Sequence, residues 1–246
     1  GLSIEYGLAK NMNALATKIL NRNEAVEVRL NLFKKLVVAK DSSVAELAGL
    51  LIEAKQAALR QEAMLVLADI NPAKYNKLIQ ELGQHQQDLQ VLYSVISLKG
   101  GVGSDQIIAA GLKNILKGKA QNESLLELLA AAEKRQEKSI VSLLAKYKKS
   151  LPKSDPLASF RDALYGGNAS KGRKLVYEQG VGQCIICHKL EGKGGIVAPD
   201  LSDVANHKRT TNHYLLESLI QPSKYVVPGF GNVSISLKNG KMVVAS

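Results

Sequence analysis

Apolar residues recur at a helical period through the first 150 residues. Val44, Leu47, Ala48, Leu51 and Ile52 fall at offsets 0, 3, 4, 7 and 8, so one helix face carries all five. Leu59, Ala63, Val66, Leu67 and Ile70 form a second stripe. A helix with such a stripe needs another helix to cover it, because its stability comes mainly from packing that face. Ser43 and Glu46 in front of the first stripe make a capping-box pattern. Asn71-Pro72 reads as a cap and first-turn proline, starting a short helix through Ile79. Leu89, Leu92, Tyr93 and Ile96 continue the run, and stretches 107–116, 125–132 and 140–147 complete it. Gly100-Gly101-Val102-Gly103 lacks the third glycine of a dinucleotide fingerprint and the Gly-Lys-Ser/Thr of a P-loop, so it reads as a breaker between helices. His85, beside Gly83 and a run of glutamines, reads as an exposed loop or helix-start residue.

A faint repeat overlies this pattern. Val28-Arg29, Leu59-Arg60 and Leu89-Gln90 recur at a spacing of 31 and then 30 residues. This resembles the HEAT family of helical-hairpin repeats, in which a Val-Arg-like pair starts the second helix, although the spacing is shorter than the usual HEAT period. The resemblance implies stacked helical pairs with a shared core and an extended surface. An irregular helical bundle without a repeat is the alternative.

Composition limits what such a chain can do. A length of 246 residues suits one or two domains, and 46% hydrophobic residues suffice for a core. Aromatics at 4%, with no Trp, suit Leu/Ala-rich helices. The net charge of +11 allows nucleic acid or acidic lipid as a partner. The lysines, however, fall at polar positions of the helical patterns and form no block, so a solvated face and no nucleic-acid partner are expected. No apolar run reaches the ~18 residues of a membrane span. No signal peptide is evident. The chain opens Gly1-Leu2-Ser3 within a helical pattern, as a fragment of a longer protein would.

The stretch from Lys148 to Asp155-Pro156 is charged and holds two prolines, so it reads as a linker or tight corner. It divides a helical-repeat domain, 1–150, from a smaller domain, 151–246. Asp155-Pro156 then caps a helix over 157–165, which Gly166-Gly167 ends.

Within the smaller domain stands Cys184-Ile185-Ile186-Cys187-His188, the attachment pattern of c-type haem. Each thiol can add to one vinyl group of the porphyrin, and His188 can then reach the iron from one face. These are the only two cysteines, so a four-thiolate zinc site is ruled out. Zinc held by both cysteines, His188 and either His207 or His213 remains open, as do a thiol redox pair and a structural disulfide.

The surrounding sequence resembles a class I-like cytochrome c. Asn168 to Glu178 looks like that family's first helix, with Gly172 where the helix usually packs on the last one and Val176 in place of the usual Phe. Gly192-Lys193-Gly194-Gly195 is expected to loop around the haem. Ala198-Pro199-Asp200-Leu201 resembles the family's Gly-Pro-Asp-Leu, which implies that the Pro199 carbonyl accepts a hydrogen bond from the proximal imidazole. The closest likeness is to planctomycete-type haem-binding domains: Leu215 to Ile220, then Pro222-Ser223, Pro228-Gly229-Phe230 and a hairpin around Lys238-Asn239-Gly240-Lys241. The alternation of Val233, Ile235 and Leu237 with Ser234, Ser236 and Lys238 predicts a strand without that likeness.

The expected fold class is therefore mainly α: HEAT-like repeats, then a small all-α cytochrome c-like domain with a β-hairpin near the C-terminus. The resemblance implies covalent haem c on Cys184 and Cys187, with His188 as proximal ligand. For the second face of the iron the candidates are Met242, His207 and His213. Met242 reads as a residue of the returning hairpin strand, and the resembled family's Met-Pro segment lies beyond Ser246, so no ligand from within the chain is expected. No paired carboxylates or nucleophile–base pair accompany the motif, so an electron carrier rather than an enzyme is expected. Lys171, Arg173, Lys174, Lys189 and Lys193 flank it and could steer an acidic partner. The implied partner is a redox protein, such as a sugar-dehydrogenase domain of the same parent. Covalent haem c is attached outside the cytoplasm, which implies a periplasmic or other extracytoplasmic location. A helical interaction scaffold bearing an empty, thiol-redox or zinc-binding site is the alternative.

Overall fold

The apolar stripes become helices that pack in two rows. A computed structural model describes residues 14–119, 121–178, 183–208, 210–231 and 233–245. The helical start expected at residues 1–13 lies outside the described residues. The chain separates into two compact units, Gly1–Ser150 and Leu151–Ser246.

In the first unit, residues 14–20 are helical, followed by α1 (Val26–Val38), α2 (Val44–Leu51), α3 (Ala57–Ile70), α4 (Pro72–His85), α5 (Leu89–Lys99), α6 (Ser104–Leu116), α7 (Leu125–Glu133) and α8 (Lys138–Ser150). A 3-10 turn, Asn122–Ser124, leads into α7. Helices α1, α3, α5 and α7 touch one another in succession, as do α4, α6 and α8. The pairs α2–α3, α4–α5 and α6–α7 join the two rows. Most of each stripe faces inward: Leu47, Leu51, Leu59, Leu67, Leu92 and Ile96 are all buried in one continuous core, while Ile70 at the end of α3 is exposed.

Polar side chains link successive members of the first row. Arg29 and Arg60 each occupy the fourth position of their helix. Arg29 donates to the Ile19 carbonyl at 2.7 Å and to Gln56 Oε1 at 3.3 Å. Arg60 donates to the Ala54 and Lys55 carbonyls at 2.8 Å, and its Nε and Nη2 meet the two Asp88 oxygens at 2.5 and 2.8 Å. Gln56 and Asp88 are the residues just before α3 and α5. Arg29 thus ties the end of the helix at 14–20, and Arg60 the loop before its own helix, to the start of the next helix in the row. Gln90 Nε2 continues the series to Glu127 Oε1 at 3.1 Å.

Several local expectations change. The first stripe's helix is entered through Asp41, not through a capping box on Ser43. Ser43 already has helical angles (φ −77°, ψ −10°) and caps nothing. Instead Asp41 Oδ1 accepts the Ser43 N–H at 2.7 Å and the Ser43 hydroxyl, because a carboxylate is the stronger acceptor. The cap at Asn71 forms as expected, its Oδ1 accepting the Lys74 N–H at 3.1 Å. Helix α4 nevertheless runs on to His85, past the Ile79 limit read from the sequence. Gly83 does not break it. A Cβ there would come within 3.0 Å of Ile107, so the glycine lets α4 lie close to α6. His85 is consequently an exposed helix-end residue. Gly100, Gly101 and Gly103 all take positive φ between α5 and α6, as a breaker should.

The second unit is built from short pieces: a 3-10 helix (Ala158–Leu164), α9 (Ala169–Tyr177), α10 (Cys184–Cys187), β1 (Lys189–Leu190), β2 (Lys193–Gly194), a 3-10 turn (Val204–Asn206), α11 (Asn212–Ile220), β3 (Val233–Ser236) and β4 (Met242–Ala245). β1–β2 and β3–β4 are antiparallel pairs. The corner expected at 148–156 begins only after α8 ends at Ser150. Asp155 caps the next element, accepting the Leu157 N–H at 2.9 Å and pairing with Arg161 at 2.5 Å. That element is a 3-10 helix, with Phe160 N–H bonded to the carbonyl of Leu157 three residues back. Asn168 caps α9 through the Lys171 N–H at 2.9 Å. Helix α11 contacts the 3-10 segment, with Asn212 Nδ2 donating to the Leu164 carbonyl at 2.7 Å. Among the described residues of this unit, only Leu157 and Ala158 are buried.

Candidate functional site

Cys184 and Cys187 open and close the single helical turn α10, and three-residue spacing puts both on one side of it. The two cysteines are not joined in a disulfide. His188 follows in extended conformation (φ −98°, ψ 142°), its N–H bonded to the Cys184 carbonyl at 2.9 Å. The side chain therefore leaves the turn instead of continuing round it.

A four-residue helix leaves its carbonyls without intrahelical partners. The His188 N–H takes that of Cys184, and the downstream loop supplies partners for two more. Gly195 N–H donates to the Ile185 carbonyl at 2.8 Å, and Ala198 N–H donates to the Cys187 carbonyl at 2.9 Å. This wrap requires glycine at two positions. A Cβ on Gly194 would lie 2.2 Å from the His188 carbonyl oxygen, and one on Gly195 would lie 2.1 Å from that of Ile186. The stretch expected as a loop, 192–195, is in fact half hairpin. Glu191 and Gly192, both at positive φ (51° and 78°), turn β1 into β2, as a two-residue primed turn does.

The loop brings Pro199 to His188. His188 Nδ1 lies 2.7 Å from the Pro199 carbonyl oxygen. A carbonyl only accepts, so Nδ1 carries the proton and Nε2 keeps its lone pair for another partner. The chemistry on this turn is thus two thiols on one side and an imidazole of fixed tautomer beside them.

Around this centre lies a set of polar contacts that the sequence did not reveal. The Glu191 carboxylate takes two bonds from Arg173, at 3.0 and 2.7 Å, and one from the Tyr177 hydroxyl at 2.9 Å. The Arg173 guanidinium also stacks 4.7 Å over the Tyr177 ring. Arg173 first, then Tyr177, holds the Glu191 carboxyl down to about 2. Burial of its ring, then the adjacent Glu191, pushes the Tyr177 hydroxyl up. The Glu191 N–H donates to Ser202 Oγ at 2.8 Å, while Asp200 Oδ1 accepts the Ser202 N–H and hydroxyl at 2.8 and 2.5 Å. Those two bonds keep the Asp200 carboxyl below its usual range. The available sequence signals were weak: a Glu-Gly turn between two-residue strands, and an Asp-x-Ser turn after Pro199.

The flanking bases are partly engaged by these acids. Arg173 is spent on Glu191, Lys193 adds to the positive field on Glu191, and Lys189 does so on Asp200. Met242 stands on β4 opposite Ser236 and is 70% exposed. His207 follows the Val204–Asn206 turn, and His213 lies on α11, where its charge acts on Asp155. Among the described residues no three His, Cys, Asp or Glu side chains are grouped to hold a metal ion, so the zinc set is not drawn together. No described helix is long and apolar enough to cross a membrane.

Large apolar side chains surround the turn in sequence while lying open on the surface. Ile186 is 60% exposed, and Ile196 and Val197 are 83% and 77% exposed. No protein-family model, curated protein or solved structure matches the chain.

Proposed function

We propose that residues 151–246 form a c-type cytochrome unit, carried on a HEAT-like helical-repeat scaffold. It serves as an electron carrier, not an enzyme. The observation that carries this reading is the 2.7 Å contact from His188 Nδ1 to the Pro199 carbonyl beside the two cysteines. That contact leaves Nε2 as the free donor nitrogen, the arrangement a proximal imidazole needs. The residues present fit a porphyrin in two further respects. The thiols share one side of a single turn, and exposed Ile186, Ile196 and Val197 offer apolar surface near it in the chain.

In this reading Cys184 and Cys187 hold haem c by thioether bonds, and His188 Nε2 ligates its iron. The bound group supplies a one-electron couple. The chain's own part would be to orient the imidazole through Pro199 and to offer the apolar side chains of Ile186, Ile196 and Val197 close to the turn in sequence. The electron donor is a dehydrogenase, such as a sugar-dehydrogenase domain of the same parent, and the location is periplasmic or otherwise extracytoplasmic. The partner is neither nucleic acid nor a membrane that the chain itself spans. In this reading Met242 would not ligate the iron, because it sits on a hairpin strand as an exposed residue.

The test is expression with export and haem-attachment machinery. The purified chain is expected to be red, with colour that stays on the polypeptide in acid acetone. Ferric protein should be high-spin and bind added imidazole. A colourless chain with two titratable thiols would sink the reading. A low-spin form lost in Met242→Ala would show that the methionine is a ligand.

A further inference from the structure

Pro199 can orient His188 only if its own carbonyl is held still. Residues 198–202 have no regular secondary structure, so something else must fix them. Three contacts do so. Ala198 N–H is bound to the Cys187 carbonyl, Leu201 N–H to the Lys189 carbonyl at 2.8 Å, and Ser202 Oγ to the Glu191 N–H at 2.8 Å. The first two tie main chain to main chain. The third depends on side chains and on one unusual residue.

Glu191 is a poor choice for its backbone. At φ 51° a primed turn favours Asn, Asp or Gly, and an extended side chain there is strained. What glutamate offers is reach. Its carboxylate meets Arg173 and Tyr177 on α9, so the turn is pinned to that helix by three hydrogen bonds. Its backbone N–H then presents a fixed donor to Ser202, whose hydroxyl is oriented by Asp200.

We propose that Glu191 and Ser202 are positioning residues, which hold the Pro199 carbonyl on His188 Nδ1 and so set the imidazole tautomer and its strength as a ligand. The Arg173–Glu191 pair acts here as a brace on the proximal side and not as a docking charge. This rests on the haem reading for its effect on iron, but the tautomer part does not.

The experiment has two arms on the full chain. In the haem-free chain, nitrogen-detected NMR of the imidazole is expected to show His188 protonated at Nδ1. Ser202→Ala and Glu191→Asn should shift the population toward Nε2-H, and Ser202→Thr, which keeps the hydroxyl, should restore it. Asn suits the left-handed turn, so Glu191→Asn removes the brace without adding strain. In the haem-loaded chain the same two variants should raise the midpoint potential, because a weaker Nδ1–H···O bond makes the imidazole a poorer donor to ferric iron. Wild-type tautomer populations in both variants would overturn the proposal. A wild-type chain without haem but with the tautomer shift would defeat the haem reading alone. Haem attachment with unshifted potentials would defeat the coupling to iron alone.

Discussion

The two units solve the problem of apolar surface in opposite ways. In residues 1–150 one core runs from Ile19 to Ile140, and Phe33, Leu92 and Leu112 within it have no exposed surface. In residues 151–246 the described buried residues are Leu157 and Ala158, while Ile196 and Leu219 are 83% and 73% exposed. The first unit is held by burial, which is not directional and tolerates small errors of position. The second is ordered by hydrogen bonds and ion pairs near the Cys184 turn, which fix positions closely but each contribute only about 0.5–1.5 kcal/mol net. The contrast shows which unit can stand alone. The helices of the first unit cover one another, whereas the second unit leaves large apolar side chains exposed; in the proposed function a porphyrin would cover some of them.

The largest test of this contrast, on the proposed haem reading, removes the two cysteines that would hold the group. Cys184→Ala with Cys187→Ala should abolish covalently bound haem entirely. It should also reduce the second unit's thermal transition to a broad, weakly cooperative one while the helical melt of residues 1–150 stays unchanged. Calorimetry that showed both transitions moving together would contradict the division.

The next test breaks the other side. Phe33→Ala should destabilise the first unit by about 3–5 kcal/mol, the usual cost of deleting a fully buried aromatic ring. Denaturant unfolding followed by helical circular dichroism would report it, and, if the second unit carries haem as proposed, that group's spectrum should not change. A loss under about 1 kcal/mol would mean that the core is looser than its burial implies.

A smaller effect is expected where the first unit also relies on directed bonds. Arg60→Ala removes the link to Asp88 and two bonds to loop carbonyls, and should cost about 1–2 kcal/mol. Hydrogen exchange should quicken at the starts of α3 and α5 before it does elsewhere. Uniform quickening would argue against a local link.

The smallest is a pH effect in the second unit. Glu191 titrates at about 2 in the folded chain, below its ordinary value, because Arg173 and Tyr177 bind the ionised form. A depressed carboxyl stabilises the fold fully above its unfolded value and loses that contribution as pH falls through its folded one. The brace should therefore persist near pH 5 and be lost progressively between about pH 4.5 and 2. The Arg173 Nη–H resonances are the probe. Loss of their protection already at pH 6 would count against the Glu191 pairing.

The sequence announced the first unit well because burial leaves a periodic record. Each stripe, such as Leu59, Ala63, Val66 and Leu67, can be read without knowing its partner helix. What it hid were the choices decided by close contact. The helix read as ending at Ile79 runs on to His85, and Gly83 within it is a point of helix contact. Ser43 looked like a cap but lost that role to Asp41, two residues away. In the second unit the grouping of Cys184, Cys187 and His188 could be read because all three fall on or next to one turn, and the hairpin at 233–245 because its residues alternate. The Arg173–Glu191–Tyr177 brace left no such trace, since Glu191 lies 18 and 14 residues from Arg173 and Tyr177 and no period links it to their helix. The need for glycine at 194 and 195 likewise arises only when the chain folds back on the turn.

The linked arginines bear on how the first unit would yield under load. Arg29 reaches Gln56, Arg60 reaches Asp88, and Gln90 reaches Glu127, so each link joins neighbours alone. Tension along the row is then passed from joint to joint, and none of these links spans its full length. We predict that the row behaves as a short spring: it gives a little at each joint and unravels from an end, one helical pair after another. Pulling on single molecules should record a staircase of small extensions, and a single all-or-none rupture would refute that picture.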